Sequence, residues 1–263
     1  MSSKKVRGTI LTITSTKGGV GKTFVTLLLA SIYKSLKKKV LLVDLDLYAG
    51  SIAFILGVEP KNNIYNICDD MTNNRYKGIN SNEYITTYDN YIDVLSAPKD
   101  PRQASKVDKK NLSILLSSLK NYYDVVLIDT NHILDMHSMV AFDASDKIVD
   151  IFTNDAIDLK GTKSFVSICN NVGVENLILV LNESSNKPEA FFSSFEIKTL
   201  LKHDIDYIVN DEFHLKNYDS YIMNKTLMKV LGFSITKKNY KLLEQMAIEL
   251  IDSPKEGDYN GEE

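Results

Sequence analysis

The chain has 263 residues, of which 44% are apolar and 25% are charged, with 31 Lys and Arg against 34 Asp and Glu. This balance is typical of a folded globular protein and excludes disorder, collagen and coiled coil as the main state. The formal charge of −3 excludes attraction of the whole molecule to DNA or anionic lipid, which leaves such binding to a local patch.

Short runs rich in Val, Ile and Leu alternate with longer amphipathic stretches along the chain. This alternation is typical of parallel strands that crossover helices bury on both faces. The strands are predicted at residues 9–14, 39–44, 91–96, 123–128, 146–152, 177–181 and 205–209. The helices are predicted at residues 20–36, 108–119, 159–171, 194–202, 216–223 and 236–251. The sequence therefore predicts an α/β fold, a doubly wound and mostly parallel sheet with helices on both faces and ligands at the carboxyl ends of its strands.

Residues 58–90 are the least regular part of the chain and are dense in Asn, Tyr, Asp and Thr. No linker rich in Gly, Ser or Pro flanks them, so we expect a loop-rich excursion with short helices rather than a second domain. Residues 1–251 are therefore predicted to form one domain. The tail at 252–263 is acidic, polar and interrupted by Pro254, which predicts disorder.

Cys68 and Cys169 are isolated in the sequence. Isolated thiols are typical of a reduced protein, and they exclude an iron–sulfur carrier built on paired cysteines. The apolar run at residues 9–14 is too short for a secretion signal or a membrane span. We therefore expect a cytoplasmic location.

A glycine-rich loop follows the first predicted strand, where residues 15–23 read Ser-Thr-Lys-Gly-Gly-Val-Gly-Lys-Thr and run directly into a helix. Such a loop lets successive backbone N–H groups converge on phosphate oxygens, and the helix N-terminus behind it favours negative charge. Lys22 is predicted to reach the β- and γ-phosphates, and the Thr23 hydroxyl to ligate Mg²⁺. A turn with two solubilising lysines is disfavoured because strand, loop and helix occur in the required order. The usual first glycine of the motif is replaced by Thr16, and the loop has an additional Lys17.

With this extra lysine, residues 17–23 resemble the deviant Walker A loop of the ParA/MinD family of P-loop ATPases, whose fold is of the SIMIBI type. The resemblance implies ATP as the nucleotide and a homodimer in which Lys17 reaches the phosphates of the partner. It assigns ATP contacts to Lys17, Gly18, Gly19, Val20, Gly21, Lys22, Thr23 and Phe24. The family often has a small hydroxyl residue where this chain has Phe24. Whether this position contacts the α-phosphate is therefore left open.

Two carboxylates end the predicted strand at residues 40–46. Asp44 and Asp46 are costly to bury at a strand end unless a cation or a water network uses them. The pair resembles the switch I motif of the family. The resemblance places Asp44 near the Mg²⁺ shell and assigns Asp46 to the water that attacks the γ-phosphate. The alternative is that one of the two only caps the following turn.

A third acid, Asp129, follows four apolar residues at 125–128, which is the form of a Walker B strand. It is predicted to hold Mg²⁺ through water, as in other P-loop enzymes. Many family members continue with Pro and small residues, whereas this chain continues with Asn131 and His132, so the geometry of this switch is left open. His132 and His137 are five residues apart, which is not the spacing of a helical zinc pair.

Two later segments resemble the adenine-binding elements of the family. Residues 177–182 end in an asparagine that the resemblance assigns to the adenine edge, the alternative being a strand-end turn. Residues 208–211 resemble a P-[ND]-D loop that closes over the base, with Val209 in place of the proline. The base contacts implied in this way are those of Asn182, Asn210 and Asp211.

The resemblance covers residues 9–251, and residues 96–101, 129–132 and 139–146 are most similar to the pilus-assembly branch, the CpaE/TadZ proteins. It implies a slow, partner-stimulated ATPase that dimerises on Mg·ATP and positions pilus or secretion machinery, with catalysis by Lys17, Lys22 and Asp46. It also implies an unidentified activator or cargo protein. A partner is implied to recruit the protein to a cell pole or to the inner membrane surface.

Other branches remain open. A plasmid or chromosome partition ATPase of the ParA type binds DNA non-specifically, and the five lysines between residues 225 and 241 are suited to phosphate contacts. The simpler interpretation of these lysines is a solvated helical face. A MinD or flagellar-number regulator ends in a basic membrane helix, whereas here the helix at 236–251 precedes an acidic tail that anionic lipid repels. A bacterial tyrosine kinase needs a C-terminal tyrosine cluster, which Tyr259 alone does not make.

Overall fold

One sheet of eight strands organises the part of the chain that the computed structural model describes, namely residues 7–79, 84–184 and 191–252. The strands are β1 (Thr9–Thr14), β2 (Val40–Asp44), β3 (Thr86–Thr87), β4 (Ile92–Leu95), β5 (Val125–Asp129), β6 (Lys147–Phe152), β7 (Leu177–Asn182) and β8 (Tyr207–Val209). Their spatial order is β3, β4, β2, β5, β1, β6, β7 and β8. Every pairing is parallel except that of β3 with β4. The predicted fold class is thus confirmed, and β3 is an antiparallel edge that the sequence pattern did not indicate.

Helices connect the strands and cover both faces of the sheet. They are α1 (Lys22–Ser35), α2 (Ile52–Leu56), α3 (Ile64–Thr72), α4 (Lys109–Leu119), α5 (Met136–Ala144), α6 (Ala156–Val172), α7 (Ser194–Leu201), α8 (Tyr218–Met223), α9 (Leu227–Gly232) and α10 (Tyr240–Ile251). The predicted helices correspond to α1, α4, α6, α7, α8 and α10. The last of these begins four residues later than expected, at Tyr240, and Phe233–Thr236 forms a separate 3₁₀ turn before it.

Helix α5 was not expected, and its packing gives the reason. Asp135 caps it by accepting hydrogen bonds from the backbone N–H groups of His137 and Ser138. Its buried residues are Ser138 and Ala141, whereas Met136 is exposed. A helix that buries small residues lacks the apolar stripe from which a helix is predicted.

Alternating strand residues build a separate core on each face of the sheet. Ile13 and Leu127 are fully buried in a core shared with residues of α1, α9 and α10. Ile128 faces the opposite side, in a core with residues of α3, α4 and α5. Phe152 and Leu179 lie on the far half of the sheet, in a core with residues of α6 and α7. The sheet is therefore covered by helices on both faces, as the buried apolar strands predict.

The strand register brings the carboxyl ends of the three central strands together. Ile13 of β1 is paired with Asp129 of β5, and Asp129 is also paired with Asp44 of β2. The loop that follows β1 therefore lies beside the two acids, as expected at this edge of a parallel sheet.

Most of the predicted disordered tail, residues 253–263, lies outside the described residues. In the described ranges no helix combines the length and the apolar character needed to cross a bilayer.

Candidate functional site

The glycine loop connects β1 to α1 in a conformation that needs glycine at two positions. Gly19 has a φ of 78° and Gly21 a φ of 96°, a region that other residues rarely adopt. A Cβ at Gly21 would also lie 2.4 Å from Nδ2 of Asn182. Gly21 is the N-cap of α1, and no side chain caps the helix there. The N-terminal N–H groups of α1 thus lack a side-chain cap, an arrangement suited to an anion.

The two lysines of the loop are held by different partners. The ammonium of Lys22 donates to Ser15 Oγ at 3.0 Å, and Ser15 Oγ donates to the carbonyl oxygen of Lys17 at 2.8 Å. Burial lowers the pKa of Lys22, while the carboxylates of Asp129 and Asp46 oppose that shift. Lys17 instead forms a salt bridge of 2.9 Å with Asp155, and its side chain is 36% exposed. Lys22 therefore lies inside the site, and Lys17 lies at its surface.

Asp129 is held by hydroxyl groups of α1. Thr23 Oγ1 donates to its Oδ2 at 2.6 Å, and Thr26 Oγ1 lies 3.3 Å from its Oδ1. Burial raises the pKa of Asp129 to about 6, although the hydrogen bond from Thr23 and the charge of Lys22 act against this shift. Thr23 and Asp129, which the sequence assigns to Mg²⁺, are thus in direct contact.

Asp44 is a buried carboxyl group that protein atoms satisfy only in part. Its Oδ2 accepts a hydrogen bond from the backbone N–H of Ile52 at 3.0 Å, whereas its buried Oδ1 has no partner in the described ranges. Burial and the neighbouring Asp129 raise its pKa to about 8. Two buried carboxyl groups and the Thr23 hydroxyl form an oxygen-only donor set, which is the kind that Mg²⁺ prefers. The residues present therefore fit a magnesium ion.

Asp46 lies just beyond β2, where it is partly exposed. Its Oδ1 accepts a hydrogen bond from the backbone N–H of Ala49 at 3.2 Å. Its charge contributes to the raised pKa values of Asp44 and Asp129 and opposes the lowered pKa of Lys22. The structure therefore brings Asp46 close enough to act on these groups electrostatically.

A cavity of about 200 Å³ adjoins the loop on the side of β7. Its lining residues are Gly21, Phe24, Asn182, Ser184, His214, Leu215 and Tyr218. The rings of Phe24 and Tyr218 meet edge to face with centroids 6.1 Å apart. Largely apolar walls with a few polar groups are typical of a small-ligand site.

Hydrogen bonds fix the polar wall of this cavity. Asn182 donates from Nδ2 to the carbonyl oxygen of Val20 at 2.8 Å and accepts from the backbone N–H and hydroxyl of Ser184. His214 donates from Nδ1 to the carbonyl oxygen of Ser184 at 2.7 Å. Asn182 thus lies in the wall of the cavity, and its contact with the adenine edge stays a prediction.

Asn210 and Asp211, which the sequence assigns to the base, lie outside the lining of this cavity, and their base contacts stay a prediction. Neither residue lines the cavity, because Asp211 begins a 3₁₀ turn that ends at Phe213. That turn brings His214 and Leu215 to the cavity instead. No sequence signal identifies these two residues, or Tyr218, since their positions depend on how the turn and α8 pack.

The segment after Asp129 brings His132 to the glycine loop. A Cβ at Gly18 would lie 3.6 Å from Nδ1 of His132, so the imidazole lies against the loop backbone. His137 is directed elsewhere, since its Nε2 donates to the carbonyl oxygen of Val107 at 3.1 Å. Within the described ranges no cluster of three or more His, Cys, Asp or Glu residues suited to a metal is found.

Comparisons with known proteins agree with this geometry. A family model described as an AAA domain matches residues 8–179. A putative septum site-determining protein MinD of Emiliania huxleyi is 25% identical over 206 residues, which are 77% of this chain and 74% of that protein.

Solved structures of a ParA family ATPase and of a MinD protein have the same fold as this chain. The crystal structure of a ParA family ATPase from Chlorobium tepidum TLS has a TM-score of 0.76 at 16% identity and covers 91% of this chain and 98% of its own. The septum site-determining protein MinD from Pyrococcus horikoshii OT3, complexed with Mg-ADP, has a TM-score of 0.71 at 22% identity, over 92% and 96% of the two chains. The fold of this chain is therefore the fold of these ATPases.

The raised pKa of Asp44 leads to a prediction about stability. Asp44 titrates near pH 8 in the native state but near about pH 4 when unfolded, so between these values the native state binds more protons. Without nucleotide and divalent cations, the free energy of unfolding is expected to fall as pH rises through this window. Asp44→Asn should flatten the fall, as measured by urea denaturation across the window.

The matched control is Asp219→Asn, which removes an exposed carboxyl group and should follow the wild type. An equal fall in the wild type and in Asp44→Asn would contradict the assignment of a buried, protonated carboxyl group to Asp44.

Proposed function

The chain belongs to the AAA domain family, and from its similarity to ParA and MinD proteins we propose that it is a Mg²⁺-dependent ATPase of the ParA/MinD kind that dimerises when ATP is bound. The observation that supports this most strongly is the cluster at the carboxyl edge of the sheet. There a glycine loop, Lys22 and two buried carboxyl groups lie together. Catalysis in such a site consists of positioning and charge neutralisation.

The glycine loop is proposed to bind the phosphates. Its backbone N–H groups and the N-terminus of α1 supply dipoles and donors for an anion. Lys22 supplies the positive charge for the β- and γ-phosphates. Because its pKa is lowered by burial, its ammonium is favoured by the arrival of further negative charge.

Thr23, Asp44 and Asp129 are proposed to hold Mg²⁺. The ion would neutralise phosphate charge when bound. The unpartnered Oδ1 of Asp44 supports this proposal, since a buried carboxylate oxygen needs a hydrogen-bond donor or a cation. Asp46, partly exposed beside them, is proposed to orient the attacking water.

The cavity beside the loop is proposed to hold the nucleobase. Phe24 and Tyr218 offer aromatic surface, and Asn182 and Ser184 offer polar groups to a base edge. The family pattern of a small hydroxyl residue at position 24 is thus replaced by an aromatic wall. This placement puts the base next to the loop that is proposed to bind the phosphates.

The carboxyl edge of the sheet is proposed as the dimer interface. Ile133 and Met136 follow β5, and Ile157 follows β6, so these residues lie at the edge that carries the site. All three are more than half exposed, with relative exposures of 59%, 55% and 75%. Exposed apolar side chains in one region are typical of an interaction surface. Lys17, partly exposed at the same edge, is proposed to reach the nucleotide of the partner.

Substitutions at Lys22 and Asp46 separate binding from hydrolysis. Lys22→Ala is expected to abolish ATP binding, because it removes the main positive charge of the cradle. Asp46→Ala should retain binding but accumulate an ATP-bound dimer, because hydrolysis is blocked. Light scattering and calorimetry with saturating Mg·ATP measure both. A monomeric Asp46→Ala protein under these conditions would refute the proposed switch.

If Lys17 acts on the nucleotide of the partner, its removal should affect dimerisation and ATP binding to different extents. Lys17→Ala should weaken dimerisation more than it weakens ATP binding to the monomer, as measured by sedimentation and calorimetry. Lys160→Ala is the matched control, since it removes an exposed lysine of α6 and should leave both unchanged. Equal losses of binding and dimerisation in Lys17→Ala count against action across the dimer.

The cellular role is proposed to be that of a spatial-positioning switch. Proteins of the ParA and MinD kinds reported above support such a role. The narrower prediction of pilus assembly rests only on the resemblance of segments such as residues 129–132 to the CpaE/TadZ proteins. It stays a prediction, and the activator, the cargo and any recruitment to a cell pole are proposals of the same standing.

A second candidate function, non-specific DNA binding, is favoured by exposed lysines near the C-terminal helices. Lys229, Lys238 and Lys241 are exposed, and no acid occurs between residues 225 and 241. Lys237 is engaged differently, because it donates to the carbonyl oxygen of Glu212 and lies 5.8 Å from the ring of Phe213.

DNA binding of this kind depends on salt and on these lysines. With ATP present, the affinity should fall linearly on a log–log plot against salt. Replacing Lys229, Lys238 and Lys241 by Ala should lower the slope by about three. Replacing the exposed lysines at positions 61, 109 and 110 is the control and should change little. Absence of a mobility shift at low salt excludes this function.

A further inference from the structure

Six buried side-chain oxygens without a hydrogen-bond partner lie behind the glycine loop, apart from the groups proposed to hold Mg²⁺. This statement covers the described ranges, where the atoms are Oγ1 of Thr14, Thr16 and Thr162, both carboxylate oxygens of Asp150, and Oδ1 of Asp158. We call these five residues the oxygen cluster. Buried polar atoms in native proteins are almost always satisfied by protein, water or an ion, so this grouping requires an explanation.

Strand register and side-chain direction bring the cluster together. Thr14 of β1 is directly paired with Asp150 of β6, so their side chains lie side by side on one face of the sheet. Ile148 and Phe152, two positions to either side of Asp150, pack in the core that includes α6. Asp150 therefore faces α6 as well.

Helix α6 supplies the other residues of the cluster. The charge of Asp158 and the hydroxyl of Thr162 both act on Asp150, although no hydrogen bond of ordinary geometry joins Thr162 to it. A Cβ at Gly161 would lie only 2.3 Å from Oγ1 of Thr16. The glycine thus lets the helix approach the start of the phosphate loop closely.

The charge of the cluster is not balanced by side chains that touch it. Asp150 and Asp158 are both 0% exposed. Asp158 Oδ2 accepts hydrogen bonds from the backbone N–H and hydroxyl of Thr153, both at 2.7 Å, but its Oδ1 and both oxygens of Asp150 have no partner within the described ranges. Lys22 acts electrostatically on Asp150 and Asp158, and Lys17 acts on Asp158. Within the described ranges neither lysine forms a salt bridge with these two residues, since Lys22 donates to Ser15 Oγ and Lys17 pairs with Asp155.

Burial raises the pKa of Asp150 and of Asp158, so the ionised forms of these two groups need a compensating positive charge that neutral water does not supply. Moving an unpaired carboxylate out of water is very costly, so buried charges are paired or coordinate metals. The six free atoms are carboxylate and hydroxyl oxygens, with no nitrogen or sulfur among them. Such ligands select hard cations of the alkali and alkaline-earth groups.

We propose that the oxygen cluster of Thr14, Thr16, Asp150, Asp158 and Thr162 is a binding site for a hard cation, distinct from the proposed magnesium site and located behind the phosphate loop. The cation compensates the two carboxylates and ties β1 and β6 to α6. The proposal does not depend on nucleotide binding, because none of these five residues is assigned to the nucleotide.

The test uses the full chain without nucleotide, after chelation and exchange into a buffer whose only cation is tetramethylammonium. K⁺, Na⁺, Ca²⁺ and Mg²⁺ are then added separately at constant ionic strength, and the thermal unfolding midpoint is measured. At least one ion should raise the midpoint in a saturable manner, because a ligand of the native state stabilises it. The ion that acts at the lowest concentration identifies the class.

Matched variants assign the effect to the oxygen cluster. Asp219→Asn removes an exposed carboxyl group outside both proposed sites and should retain the response to every ion. Asp150→Asn keeps the shape of the side chain but removes its charge, and should abolish the response. Thr162→Val keeps both charges but removes one oxygen, and should raise the ion concentration needed at least tenfold. It keeps the test valid if Asp150→Asn does not fold.

Two outcomes would overturn the proposal. One is the absence of a response to all four ions in the wild type, which would mean that protons or water satisfy the cluster. The other is an undiminished response in Asp150→Asn, or in Thr162→Val if the first variant does not fold, because the ion would then bind elsewhere. Crystals soaked in Rb⁺ or Tl⁺, which substitute for K⁺, should show anomalous density between Asp150 and Asp158 if K⁺ is the ion.

Discussion

The burial of two neighbouring carboxyl groups at the carboxyl edge of the sheet is the constraint on which the arrangement of the site depends. Asp44 and Asp129 are adjacent in the strand register, and each is 2% exposed. Burial raises the pKa of both groups, which means that the native state without ligands holds them at a cost. Cations and hydrogen-bond donors therefore have to meet at this edge, and the glycine loop with Lys22 is the element that provides them.

The same constraint relates stability to ligand binding. A protein that buries carboxyl groups without full compensation is less stable until a cation is bound. Thr23 and Thr26 compensate Asp129 in part through their hydroxyl groups, whereas Oδ1 of Asp44 has no such donor among the described residues. The structure therefore distinguishes a carboxyl group that is anchored by α1 from one that has an oxygen free for a ligand.

Local sequence patterns predicted the elements that build this edge. Buried apolar strands, the glycine spacing at residues 18–21 and acids at strand ends each have a local physical cause, so they could be identified without a structure. Contacts between distant segments could not be identified in this way. The salt bridge of Lys17 with Asp155 joins residues 138 positions apart, and no spacing rule relates them. The same holds for His214, whose place beside the cavity depends on a 3₁₀ turn and on α8.

Calorimetry tests most directly whether bound nucleotide requires Mg²⁺ and uses the carboxylate of Asp44. A non-hydrolysable ATP analogue is titrated into the protein near pH 7, with and without Mg²⁺, in buffers of different ionisation enthalpy. Binding is expected to need Mg²⁺, and its heat is expected to vary with the buffer, because Asp44, with a pKa of about 8, releases a proton when its carboxylate is used. Binding that is independent of Mg²⁺ and of the buffer, or no binding, would contradict it.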